Sequence, residues 1–175
     1  VKVLKPESGK IIKSFEGLDI PVSAAKFKDS YAVALHGNSS ISILNEDGSL
    51  EILSNEFDSP THVIPYKNGL LVSDRNRGEI IEVSSTGDTE TLVSGLNSPE
   101  GIAIIEDTIF VYEGDTGEIK SISKNNISII AKLSAGSPAA SPIQPPSMVF
   151  NGLVAHEGYL YATDEMKRSI FKILP

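Results

Sequence analysis

The chain has 175 residues, enough for one substantial core, with 40% hydrophobic and 22% charged residues, a balance that excludes a disordered segment. Its 23 acidic and 15 scattered basic residues give a formal net charge of −8, which argues against a nucleic-acid partner, because counterion release needs clustered Lys and Arg. There is no Cys, so disulfides and thiolate metal sites are excluded.

The opening VKVLKPESGK does not read as a signal peptide, and no apolar run approaches the roughly 20 residues of a spanning helix. A soluble protein without a membrane partner is expected, its compartment left open. Val1–Leu4 and Ile11–Phe15 read as two strands joined by a turn at Gly9. They match the third and fourth strands (c and d) of a repeat whose first two are absent.

From Pro21 the chain repeats every 39 residues without a gap. PVSAAKFKDSYAVALHGNSSISILNEDGSLEIL, PTHVIPYKNGLLVSDRNRGEIIEVSSTGDTETL and PEGIAIIEDTIFVYEGDTGEIKSISKNNISIIA align from Pro21, Pro60 and Pro99. A shorter copy, FNGLVAHEGYLYATDEMKRSIFKIL, follows an insertion. Each copy divides into four short strands. Strand a is apolar, and a tight polar turn such as Lys28-Asp29 or Lys67-Asn68 leads to strand b. Strand b is almost wholly apolar, as in Leu70-Leu71-Val72, and so reads as buried on both faces. Strand c alternates, and strand d is the most polar. Gly48 and Gly87 fall in matching c–d turns, where positive φ suits Gly. Pro65 falls inside strand a and demands that this strand be an edge.

A repeat of this length made only of short strands predicts an all-β fold, a β-propeller of four-stranded antiparallel blades. The expected units are a partial blade over 1–17, blades over 18–57, 58–96 and 97–136, and a blade over 137–175 that carries the insertion and lacks strand d. Two readings of the ends stand open. The chain is part of a larger incomplete ring, and then homo-oligomerisation is an option, or it closes as a four-bladed ring with Ile11–Phe15 as the last strand d.

In a blade, the residue before strand a and the residue ending strand b meet at one mouth of the channel. The first position carries Val22, Thr61, Glu100 and Asn151, and the second Leu35, Asp74, Glu113 and Asp164. Glu100 with Glu113, and Asn151 with Asp164, are therefore expected near the axis. Carboxylates and an amide oxygen there are hard ligands of the kind Ca²⁺ takes. The competing reading makes Asp74 and Asp164 turn-formers that accept backbone N–H groups. His62, beside Thr61, and Arg75, after Asp74, complete the expected ligand-binding set with Asp74 and Glu113. His36, His62 and His156 are isolated in sequence and lack metal-ligand spacing. Ser134–Met148, SAGSPAASPIQPPSM, reads as a surface loop or as a loop that shapes a ligand at the mouth.

The phrases SPEGIAI…TIFVYEGDTGEI and FNGLVAHEGYLYATDE resemble the NHL-type repeat and the blades of the SMP-30/gluconolactonase propellers. The resemblance spans most of the chain, from about Asp19 to Ile173, and implies a six-bladed family. In the lactonase members a Glu, Asn residues and an Asp at strand starts hold a divalent metal. By this resemblance Glu100 and Asn151 are the positions to carry over, with Asp164 beside them, and Ca²⁺ or another divalent cation is the implied cofactor. Val22 and Thr61 occupy the same slot in other blades and are poor ligands. The fold hosts both enzymes and binding modules. The expected function is a scaffold that binds a small molecule or protein at the channel mouth. The alternative is a metal-dependent hydrolase of the lactonase type.

Overall fold

The computed structural model describes residues 1–123, 126–135, 151–164 and 166–175. Most of the insertion, residues 136–150, lies outside the described residues. The described residues contain strands, turns and bends and no helix.

β1 (Lys2–Leu4) and β2 (Ile11–Ser14) form an antiparallel pair. Three four-stranded meanders follow. The first contains β3 (Pro21–Phe27), β4 (Ser30–Leu35), β5 (Ser40–Leu44) and β6 (Leu50–Ser54). The second contains β7 (Pro60–Tyr66), β8 (Gly69–Asp74), β9 (Glu79–Val83) and β10 (Thr89–Val93). The third contains β11 (Pro99–Ile105), β12 (Thr108–Glu113), β13 (Glu118–Ser123) and β14 (Asn126–Lys132). β15 (Leu153–His156), β16 (Tyr159–Asp164) and β17 (Ser169–Ile173) form a three-stranded sheet. Each sheet runs in chain order with antiparallel neighbours, so these are the blades of a β-propeller.

The second strand of each blade shows why the sequence patterns as it does. In β8, Leu70 and Val72 enter one core with Ala32, Ala34 and Ile41 of the preceding blade. Leu71, between them, enters the next core with Ile102, Ile109 and Val111. In β12, Phe110 and Tyr112 turn the other way, toward Leu153, Leu160 and Ala162. Val33 and Leu35 of β4 meet Phe15, Val1 and Val3. Successive side chains point to opposite faces of a sheet, and both faces are covered by blades, so no polar alternation survives. β7 is an edge of its sheet, and Pro65 sits there opposite Leu70, as its missing N–H requires. Gly48 and Gly87 have φ of 94° and 96°.

Among the described residues nothing covers the outer face of the last sheet. Val154 and Ile170 are 58% and 71% exposed. Their repeat equivalents, Ala103 and Ile119, are 4% and 0% exposed because β15 and β16 cover them. Among the described residues no helix is long and apolar enough to cross a membrane.

Candidate functional site

The first strand of each blade leaves one edge without a strand partner, and adjacent blades satisfy it with side chains. Ser23 Oγ of β3 accepts the Val63 amide at 3.2 Å. One repeat later, His62 Nδ1 accepts the Ile102 amide at 2.8 Å. The next equivalent is Gly101, where an added Cβ would lie 2.6 Å from Leu153 N and 2.9 Å from Asn151 O. The side chain is absent there because β15 approaches too closely to admit one. His62 is thus neutral at its accepting nitrogen, and burial lowers its pKa to about 4. The sequence placed His62 as a ligand residue; the structure gives its Nδ1 to the blade junction.

A second device recurs at the ends of the second strands. Asp74 is fully buried; its Oδ2 accepts from the Asp58 amide at 2.7 Å, and its Oδ1 from the Ser59 and Arg77 amides at 3.0 and 3.2 Å. Glu113, also fully buried, accepts from the Asn97 amide at 2.9 Å, Thr116 Oγ1 at 2.9 Å and Lys120 Nζ at 2.8 Å. Asp164 accepts from the Ser134 and Lys167 amides at 3.0 and 2.9 Å. In these three blades a carboxylate clips the incoming crossover to the loop that leaves the second strand, whereas the first full blade carries Leu35 at this place. This is the turn-forming role weighed in the sequence for Asp74 and Asp164.

Glu100 and Asn151 do come together. The Asn151 backbone N–H and Nδ2 donate to Glu100 Oε2 at 2.7 and 2.9 Å. On the other side, Arg75 Nε lies 3.4 Å from Glu100 Oε1, and its Nη2 lies 3.2 Å from Asp115 Oδ1. Gly114 makes room for the carboxylate, since a Cβ there would sit 2.3 Å from Oε1. Beneath, Ser73 Oγ donates to the Glu100 carbonyl at 2.6 Å, and Thr61 Oγ1 donates to the Pro99 carbonyl at 3.1 Å. Thr61 and Ser73 are therefore structural parts of the mouth, invisible in a search for ligands.

Electrostatics separates these carboxylates. Burial pushes Glu100, Glu113 and Asp164 up. At Glu113 the Lys120 ammonium and the Asn97 and Thr116 donors prevail and hold the pKa below its ordinary value. At Asp164 the Lys167 and Ser134 amides do the same. At Glu100 burial prevails over Asn151 and Arg75, and the pKa is raised. The nearby Tyr112 phenol is pushed up to about 12 by burial and by the Asp164 and Glu100 charges.

Of the expected metal residues, Glu100 and Asn151 are hydrogen-bonded to each other, and the Asp164 oxygens accept amides of its own blade and crossover. Among the described residues no group of three or more His, Cys, Asp or Glu side chains could hold a metal ion. Of the expected ligand-binding residues, Arg75 reaches Glu100, whereas Asp74 and Glu113 are held in their clips.

No protein-family model and no curated protein matches the chain. Solved structures do. A gluconolactonase from Xanthomonas campestris superposes with a TM-score of 0.74 at 15% identity, over 97% of this chain and 66% of that one. Streptogramin B lyase gives 0.69 at 15% identity, over 90% of this chain and 52% of that one. A chain of the nidogen/laminin complex gives 0.67 at 16% identity, over 98% and 84%. The chain thus spans about half the length of the lyase. At these identities the likeness establishes the fold. The neighbours are β-propellers, consistent with the NHL-type and SMP-30/gluconolactonase resemblance of the blades.

Proposed function

We propose that the chain is a binding scaffold whose ligand, a small molecule or a protein segment, docks at the channel mouth on Glu100, Asn151 and Arg75. One observation carries this reading: Glu100, 5% exposed, gathers Asn151 at 2.7 and 2.9 Å and Arg75 at 3.4 Å at the mouth, and among Glu100, Glu113 and Asp164 it is the carboxylate whose burial outweighs its partners. A buried carboxylate left under-compensated costs stability, and such groups concentrate at functional sites. Its complement is a ligand N–H or O–H donor, such as a polyol hydroxyl or a protonated amine.

A second reading, a lactone hydrolase, draws support from the likeness to the gluconolactonase and from the same raised carboxyl, which suits proton transfer. Such a reaction in that class would call on a divalent cation, and Glu100 is the residue here to approach one. Both readings are tested by titrating δ-gluconolactone, glucose and methylammonium into isotope-labelled protein, with and without Ca²⁺. Saturable amide shifts at Glu100, Gly114 and Asn151 without turnover support the scaffold. Lactone hydrolysis lost in Glu100→Gln supports the hydrolase. A mouth whose amides move with none of these probes overturns both.

A further inference from the structure

The opposite ends of the same strands carry a different feature. A cavity of about 300 Å³ lies between the turn joining β3 to β4 and the turn joining β7 to β8. Lys26, Lys28 and Lys67 line it, with Asn68 and Ser85 between them and Phe27 and Pro65 as its apolar wall. Among the described residues no carboxylate lines it, although the chain carries a formal net charge of −8. Its size matches the lower end of small-molecule sites.

The lysines are held, not loose. The ammonium groups of Lys26, Lys28 and Lys67 lie 4.6, 5.1 and 4.5 Å from the ring centroids of Tyr31, Phe27 and Tyr66. Lys67 pairs with Glu82 at 3.0 Å and Lys26 with Glu46 at 3.8 Å, both from outside the cavity. Lys28 makes no ion pair among the described residues. Asn68 adds an amide donor and Ser85 a hydroxyl. Three lysines and two neutral polar side chains around one concavity offer a receptor for an oxyanion.

The repeat shows that the charge is not required by the turn. Lys28 and Lys67 have φ of 53° and 49°, and the equivalent turn residues of the next two blades are Glu106 and Glu157, at 53° and 49°. The same backbone accepts either sign, and the two blades that flank the cavity carry lysine. We propose that this face bears a second site, separate from the mouth and independent of its function, that takes a small oxyanion: a phosphoryl or carboxylate group on a compact ligand.

The test titrates inorganic phosphate and, separately, malonate into isotope-labelled protein at constant ionic strength. Saturable shifts are expected at the amides of Lys28, Asp29, Lys67 and Asn68. The Lys28→Glu/Lys67→Glu variant should weaken binding by about tenfold or more, roughly one charge-assisted hydrogen bond. Because Glu already occupies this backbone conformation at 106 and 157, the variant should keep its fold, and a Gln pair provides a milder removal of charge. Lys132→Glu, on β14, should bind as the parent does. Saturation with phosphate only assigns a phosphoryl site, with malonate only a carboxylate site, and with both a general oxyanion site. Shifts that rise linearly for both anions, or identical binding by the double variant, overturn the proposal.

Discussion

Replacing Asp74 by Ala removes the acceptor for three backbone amides at once, those of Asp58, Ser59 and Arg77. Asp74 is fully buried, and Ser59 is 2% exposed. A buried donor left without an acceptor costs about 1–3 kcal/mol. Water can reach the Asp58 and Arg77 amides once the side chain is gone, so the lower end applies there, and the loss should be about 3–4 kcal/mol. For a protein of this size each kcal/mol lowers Tm by about 2–4 °C, so Tm should fall by roughly 6–16 °C. Asp74→Asn should lose about half as much, because one oxygen remains but an NH₂ now faces an amide donor. Calorimetry and urea unfolding read both variants, with Asp115→Ala, an exposed carboxylate, as a control expected to lose less than about 1 kcal/mol. An Asp74→Ala variant within 1 kcal/mol of the parent would show that the crossover holds its position without the clip, and the same inference for Glu113 and Asp164 would fall with it.

His62 binds its proton less readily folded, at about 4, than unfolded, near 6.5. Its contribution is therefore complete above pH 6.5 and is lost as pH falls toward 4, up to about 3 kcal/mol; His62→Gln should flatten that part of the stability profile. Gly101→Ala places a Cβ 2.6 Å from Leu153 N and 2.8 Å from Leu153 Cβ, so the last two blades must part, at about 2–4 kcal/mol. Gly158→Ala, with φ of 76° and nothing within 4 Å, should cost only about 1 kcal/mol in a parallel denaturation series. The bare face around Val154 and Ile170 should drive self-association, seen by sedimentation and reduced by replacing both with Lys. A monomer at every concentration would contradict it.

The blades were legible because their signals are local: a fixed period, an apolar second strand, and Gly or left-handed polar residues in the turns. Even Pro65 pointed correctly to an open edge. The mouth was legible only in part. Glu100 and Asn151 are 51 residues apart and do meet, because they take equivalent places in adjacent blades, although Glu100 lies within the start of β11 and only Asn151 precedes its strand. Asp164 shares the mouth but not the constellation. Its competitors are amides of Ser134 and Lys167, one of them 30 residues upstream, and backbone donors leave no mark in a sequence. His62 was obscured in another way. Its repeat equivalents are Ser23 and Gly101, which share no chemistry, yet Ser23 and His62 serve the same amide of the next blade.

That junction has a consequence for how such a chain can grow. The second full blade brings both halves of the contact: the amide of Val63, offered to the blade before it, and the acceptor His62, offered to the blade after it. A duplicated copy of this unit would insert with its donor and acceptor already matched, leaving no new orphan at either seam. Only a seam such as Gly101, where close approach of the backbones replaces the side chain, would need neighbours of one kind. Duplication of this blade would therefore keep this one hydrogen bond at both new seams without a substitution at Val63 or His62.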